Sequence, residues 1–112
     1  MQKTIFQKII DKELPCEKVF ENERIIAFND IHPQAPVHIL IVPKKPLPNI
    51  DAMAEDDIPL LGEVLFVAKQ IAKEKGIEDG FRLVTNNGHN AGQLVYHLHF
   101  HLLGGKYLGA IC

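Results

Sequence analysis

The spacing of apolar residues divides the 112-residue chain into a short helix, a series of strands and one long helix. Apolar positions three and four residues apart predict a short helix after Thr4, which with Gln7 has the form of a capping box. Runs rich in β-branched and aromatic residues predict strands over 19–21 and 25–29, joined as a hairpin. The next strand, Val37–Pro43, is apolar at nearly every position, which is typical of a strand buried on both faces.

A 3.6-residue repeat predicts the long helix from about residue 56 to 74, with Asp56 or Asp57 as its cap. Its expected apolar face consists of Leu61, Val64, Leu65, Ala68, Ile71 and Ala72. Three further apolar residues, Leu60, Phe66 and Val67, widen that face beyond what one contact with a sheet needs. The extra apolar surface favours a homodimer.

Two more strands are predicted on either side of a polar, glycine-bearing loop at 86–93. The first covers residues 81–85 and the second covers 94–103. The order of the elements predicts an α+β fold with a mainly antiparallel sheet. The length of the chain predicts a single domain over residues 1–112.

Composition removes several classes of function. The net charge is −2, and no basic cluster exceeds Lys44 and Lys45, so no nucleic-acid-binding surface is expected. No apolar run approaches the length of a membrane span, and no membrane contact is expected. Cys16 and Cys112 lack the spacing of a disulfide framework, and the amino terminus lacks a signal-peptide pattern, so the expected location is the cytoplasm.

Three histidines, His97, His99 and His101, alternate with apolar residues near the end of the chain. In a strand, the period of two would place all three imidazoles on one face. His38 is the one polar residue of the predicted central strand. A lone histidine is usually an ordinary core or surface residue, but this pattern indicates a chemical role.

A metal site and nucleophilic catalysis are the two chemical roles that fit. His97 and His101 would lie about 13 Å apart along a strand at ~3.3 Å per residue, too far to share one zinc ion easily. A metal site of two triplet histidines plus His38 stays open, although no carboxylate or thiolate adjoins the triplet. In nucleophilic catalysis a neutral imidazole attacks, and the middle residue, His99, is the natural nucleophile. The polar loop would then hold a phosphate.

The segment from residue 97 to 103 matches the histidine-triad signature, His-x-His-x-His-x-x with apolar x. Three other segments, at 30–38, 41–44 and 92–97, are similar to the Hint branch of the histidine triad (HIT) superfamily. The resemblance extends from about residue 5 to 105. It implies the HIT fold, with a five-stranded sheet, a short N-terminal helix and one long helix. It also implies a homodimer with the long helix in the interface.

The resemblance implies a purine nucleoside phosphoramidase that needs no cofactor. Such enzymes cleave the P–N bond of adenosine 5′-phosphoramidates, can hydrolyse aminoacyl adenylates, and release AMP. By resemblance His99 carries the nucleotidyl group, His101 lies near the reacting oxygens, and His97 and His38 support them. The implied nucleotide pocket consists of Phe6, Ile9, Phe28, Asn29, Asp30, Ile31, Leu40, Asn86, Gly92, Gln93, Leu94 and Val95, together with His99 and His101. Asp30 is the expected acceptor for the ribose hydroxyls.

Two departures from the Hint pattern change the expectations. Some relatives bind zinc through Cys-x-x-Cys in the first segment, where this chain has Thr4 and Gln7, so no metal is expected. Leu94 stands where several relatives have a polar side chain, often serine, which predicts a weaker hold on the leaving amine. The alternative function is a purine-nucleotide-binding module that acts through a protein partner. The intact triad favours the enzyme.

Overall fold

The computed structural model describes residues 2–110. Its centre is a five-stranded antiparallel sheet in the order β1-β2-β3-β5-β4. The strands are β1 (Lys18–Glu21), β2 (Ile25–Asn29), β3 (Val37–Pro43), β4 (Phe81–Val84) and β5 (Phe100–Gly104). A short helix, α1 (Ile5–Ile10), precedes the sheet, and the long helix, α2 (Ile58–Glu74), lies between β3 and β4 in the chain. The predicted α+β fold, with a five-stranded antiparallel sheet, a short N-terminal helix and one long helix, is confirmed.

Both faces of the central strands are covered. Alternate residues of β2 and β3 enter two different cores, as the period of a strand requires. One core packs against α2 and includes Ile25, Ala27, Ile39, Ile41, Val64, Ala68 and Ile71. The other packs under α1 and consists of Phe6, Ile26, Phe28, Leu40 and Val42. The prediction that β3 is buried on both faces is confirmed.

Helix α1 begins as predicted, but its cap is one-sided. The Thr4 hydroxyl accepts a hydrogen bond from the Gln7 backbone N–H at 3.0 Å, which satisfies one free donor of the first turn. The Gln7 side chain donates to Asp11 at 3.1 Å instead of returning to Thr4. The reciprocal half of the predicted capping box is therefore absent among the described contacts.

Helix α2 begins at Ile58, after a 3-10 turn at Glu55–Asp57, and ends at Glu74 as predicted. Its buried residues are Val64, Val67, Ala68, Ile71 and Ala72. The expected apolar face was wrong at Leu65, which is 59% exposed, whereas Val67, which was expected only to widen that face, is buried. At about 100° per residue Val67 lies closer than Leu65 to the line through Val64 and Ile71, and that line faces the sheet.

The last strand is shorter than predicted. It begins at Phe100 rather than at residue 94, and residues 94–99 have no regular structure. The register explains this end point, because the pairing of β3 with β5 stops at Ile41 and Phe100. The Leu98 backbone N–H donates to the Leu47 carbonyl at 2.7 Å, outside the sheet. His97 and His99 therefore do not follow the alternation of β5.

The described structure also bears on membrane-spanning helices and on the cysteines. Neither helix in the described range has the length and apolar character needed to cross a membrane. Cys16 is a half-buried free thiol. Cys112 lies outside the described residues.

A close contact between β5 and the chain after α2 generates a stability prediction. A Cβ at Gly104 would lie 2.6 Å from Ile77 Cδ1, closer than real Cβ contacts, and 3.1 Å from Ile77 Cβ, so the Ile77 side chain would have to move. We expect Gly104→Ala to lower the free energy of unfolding by about 1–3 kcal/mol, measured by urea denaturation. Ile77→Val removes Cδ1 and should recover part of that loss.

The matched control is Gly80→Ala, just before β4. No atom lies within 4 Å of its added Cβ and its φ is not positive, so this change should leave the free energy of unfolding within about 0.5 kcal/mol of the wild-type value. Equal stability of Gly104→Ala and wild type would contradict the contact at Ile77.

Candidate active site

A cleft of about 620 Å³ opens on the α1 side of the sheet, a volume suited to a small-molecule ligand. All of the predicted nucleotide-binding residues line it, namely Phe6, Ile9, Phe28, Asn29, Asp30, Ile31, Leu40, Asn86, Gly92, Gln93, Leu94 and Val95. Three of the four predicted catalytic histidines, His38, His99 and His101, also line it, whereas His97 does not. The chain thus brings segments far apart in sequence to one surface.

The strand register builds the apolar floor of the cleft. Phe28 pairs with Leu40, and Leu40 pairs with His101, so these side chains form one row across the sheet. The Phe6 ring of α1 packs edge-on against both Phe28 and His99, with centroid distances of 5.7 Å and 4.8 Å. A flat apolar ligand group therefore has a surface that leads directly to the histidines.

The His99 ring has a fixed tautomer. Its Nδ1 lies 2.7 Å from the His97 backbone carbonyl, and a carbonyl only accepts hydrogen bonds, so Nδ1 carries the hydrogen. Burial lowers the pKa of His99 below 6.5, which keeps the ring neutral. The lone pair of this neutral imidazole is therefore on Nε2. The Thr85 hydroxyl donates to the His99 carbonyl at 2.7 Å and steadies the same residue.

His101 receives its orientation from His38. The Gln34 backbone N–H donates to His38 Nδ1 at 3.0 Å, so the hydrogen of neutral His38 is on Nε2. That hydrogen points to His101 Nδ1 at 2.9 Å, while Asp30 Oδ2 lies 3.4 Å from the same His38 nitrogen. His101 Nδ1 is then an acceptor, and neutral His101 carries its hydrogen on Nε2.

The pKa of His101 is the most strongly shifted of the triplet. Burial, followed by the neighbouring His99 and His38, lowers it from 6.5 to about 4. The rings of His99 and His101 are 5.2 Å apart, so a charge on one disfavours a charge on the other. Both rings are accordingly neutral at pH 7, one with a free lone pair on Nε2 and the other with an N–H.

His97 has a different place from the one predicted. The expectation that the three imidazoles share a strand face is wrong, because β5 begins only at Phe100. The His97 ring is 2% exposed, and its Nε2 lies 2.7 Å from the Pro43 carbonyl at the end of β3. His97 thus holds its segment to the sheet and serves His99 through its backbone carbonyl.

The ligand atoms of Asp30, His38 and His101 lie within 4.8 Å of one another, close enough to surround a metal ion. The hydrogen bond from Gln34 opposes this use. A metal on His38 Nε2 would move the ring hydrogen to Nδ1, where it would face the Gln34 N–H. The trio fits a hydrogen-bonded relay better than a metal site. Thr4 caps α1.

Sequence reasoning missed the groups that orient the histidines. Gln34 and Pro43 act through backbone atoms, and Thr85 bonds to a main-chain carbonyl. The signal for Gln34 was weak: Pro33 and Pro36 keep its segment out of a strand and leave its N–H free. Cleft residues that were not predicted are Ile5, Leu14, Pro15, Cys16, Glu17, His32 and Gln34.

Comparison with known proteins defines the class. A solved HIT family hydrolase from Legionella pneumophila has a TM-score of 0.93 and 45% identity, over 96% of each chain. A histidine triad nucleotide-binding protein from Candida albicans has a TM-score of 0.81 and 31% identity, over 98% of this chain and 86% of that one. The fold is that of the HIT family hydrolases, which supports a nucleotide hydrolase.

Sequence comparison assigns the family. The model of the HIT domain matches residues 11–108. A HIT-like protein from Chlamydia pneumoniae is 54% identical over 108 residues, which are 96% of this chain and 98% of that protein. The chain belongs to the HIT domain family.

The buried histidines predict how stability depends on pH. Burial lowers the pKa values of His97, His99 and His101 below 6.5 in the folded protein. As the pH falls below about 6.5, the unfolded chain therefore binds more protons than the folded one. We expect the free energy of unfolding to be greatest above that pH and to fall toward pH 4, measured by urea denaturation across this range.

Variants locate the source of this dependence. His101→Asn should make the fall shallower, because the ring with the largest shift is gone. Lys73→Gln, at an exposed position near the end of α2, should keep the wild-type slope, since it removes none of the buried rings. A wild-type stability that is constant over the range would show that the buried rings do not oppose protonation.

Proposed function

We propose that the protein is a purine nucleoside phosphoramidase of the Hint branch, which cleaves adenosine 5′-phosphoramidates and releases AMP. The observation that carries this proposal is the pair of fixed tautomers in the cleft. His99 has its lone pair on Nε2 because Nδ1 is bonded to a carbonyl. Its neighbour His101 has a hydrogen on Nε2 because Nδ1 accepts from His38. A nucleophile beside a proton donor suits transfer of a nucleotidyl group.

In the first step His99 Nε2 attacks phosphorus. The Nε2–P bond forms and the P–N bond breaks. The substrate anion opposes the burial that lowers the pKa of His101, so His101 takes up one proton in the complex. His101 Nε2 gives that proton to the leaving nitrogen, which departs as a neutral amine.

In the second step water attacks the nucleotidyl-histidine. A P–O bond forms, the Nε2–P bond breaks, and His101 Nε2 takes the proton that the water loses. AMP is formed and released, and His99 returns to its original neutral state. An aminoacyl adenylate would follow the same course with a carboxylate as the leaving group, which needs no proton.

The cleft offers matching surfaces to the nucleoside. Phe6, Phe28 and Leu40 are buried apolar residues that would contact the purine. The Asp30 carboxylate accepts from the His32 N–H at 2.8 Å and keeps lone pairs for the ribose hydroxyls. Leu94 lines the cleft, and 91% of its surface is exposed. The weaker hold on the leaving amine that we expect from this apolar residue remains a prediction. We place this activity in the cytoplasm, where a free Cys16 is expected.

The test is turnover of a fluorogenic adenosine phosphoramidate. We expect His99→Asn to lower kcat by at least about 10³-fold, because the nucleophile is gone. Mass spectrometry of acid-quenched wild-type enzyme should detect one added AMP group, and the variant should lack it. His32→Asn, an exposed histidine on the cleft rim, is the control and should retain activity.

Two outcomes would reject the proposal. Equal rates for wild type and His99→Asn would remove His99 as the nucleophile. AMP binding without turnover in the wild type would favour the alternative, a nucleotide-binding module that acts through a protein partner. The similar structure from Candida albicans favours considering that alternative, because it is named a histidine triad nucleotide-binding protein.

We also propose a homodimer joined through the outer face of α2. Ile58, Leu65 and Phe66 lie on this face with 58%, 59% and 56% of their surfaces exposed. Gly62 lies on the same side, and a Cβ there would have no neighbour within 4 Å, so a second helix could approach closely. Large apolar side chains grouped in this way are typical of an interface.

Sedimentation velocity tests the dimer. We expect the wild type to sediment as a dimer and Leu65→Glu to sediment as a monomer, because the interface would bury an unpaired charge. Ile50→Glu changes an exposed apolar residue outside α2 and should remain dimeric. A monomeric wild type at micromolar concentration would reject the interface.

A further inference from the structure

One buried side chain, that of Gln93, holds in place the loop at residues 86–93, which precedes the catalytic histidines. Gln93 is 5% exposed. Its Nε2 donates to the Pro48 carbonyl at 2.8 Å and to the Val95 carbonyl at 3.1 Å. Its Oε1 accepts from the Gly88 N–H at 2.8 Å and from Asn49 Nδ2 at 3.2 Å. These contacts use both amide hydrogens and both lone pairs, so the side chain has no polar group left for a ligand.

The backbone of the loop depends on these bonds. Gly88 and Gly92 have φ values of 87° and 85°, in the left-handed region that favours glycine. Between them lies a 3-10 turn at His89–Ala91, and the Gln93 N–H donates back to the Gly88 carbonyl at 3.1 Å. Since His89, Asn90 and Ala91 are exposed, the turn has little apolar packing of its own. Gln93 closes it with both backbone and side chain.

Two donors follow Gln93 directly. Within residues 2–110, the backbone N–H groups of Leu94 and Val95 donate to no protein atom. Both residues line the cleft with His99 and His101. Consecutive free N–H groups beside a nucleophile suit an anion, and they act best when they are held in place before the ligand arrives.

We propose that Gln93 is a positioning residue for phosphate recognition, and this inference rests on the proposed function. Gln93 touches no ligand. It holds the Leu94 and Val95 N–H groups where the phosphate of a nucleotide would lie. Its contribution is therefore specific to ligands that carry a phosphate and is absent for a nucleoside that lacks one.

The experiment compares AMP with adenosine by calorimetry. Gln93→Glu has the same shape and keeps the acceptor for Gly88, but it sets a carboxylate oxygen against the Pro48 and Val95 carbonyls. We expect AMP affinity to fall by about tenfold or more while adenosine affinity stays within about twofold. Asn49→Ala removes only one of the four bonds and should give a smaller loss for AMP.

A merely structural role gives a different result. If Gln93→Glu weakens AMP and adenosine equally, or leaves both unchanged, the inference is overturned. Gln93→Asn keeps the amide but shortens its reach by one carbon, and it should show the same selective loss. It decides the question if Gln93→Glu does not fold. A wild type that binds neither ligand would overturn the proposed function, whereas a wild type that prefers AMP leaves only the role of Gln93 in question.

Discussion

Burial of the histidines is the constraint on which the site depends. A neutral imidazole away from water needs one acceptor and one donor. His97, His99 and His38 each have a backbone partner that allows only one role, and His101 is bonded to His38. The His97 carbonyl fixes the hydrogen of His99, and the Gln34 N–H fixes that of His38 and, through it, of His101. Chemical differences between identical side chains thus come from main-chain geometry.

The fold provides this geometry because His97 and Gln34, which supply these backbone groups, lie outside the strands. β5 begins only after His99, so the His97 carbonyl is free to accept a hydrogen bond from the His99 ring rather than from a neighbouring strand. The prolines around Gln34 free its N–H in the same way. The two cores on either face of the sheet then hold these irregular segments against rigid strands.

The sequence predicted the elements and the cleft better than it predicted orientation. Periodicity located α1, α2 and the strands, because each buries a regular stripe. The resemblance assembled residues as distant as Phe6 and Val95, which the structure places on one surface. The predicted face of His97 was wrong because alternation requires a strand, and β5 begins only at Phe100. Gln34 and Pro43 act through backbone atoms, and the type of a residue does not indicate which partner its backbone will bind. The internal role of the Gln93 amide depends on partners 44 and 45 residues away.

The floor of the cleft and the second hydrophobic core are the same residues. Phe6, Phe28 and Leu40 belong to that core and also line the cavity, whereas Ile31 and Leu94 at its edge are 83% and 91% exposed. A change in the floor costs packing as well as recognition, but a change at the edge costs almost no packing. Substitutions at the edge therefore alter what the cleft contacts at little cost in stability, whereas substitutions in the floor alter ligand contact and stability together.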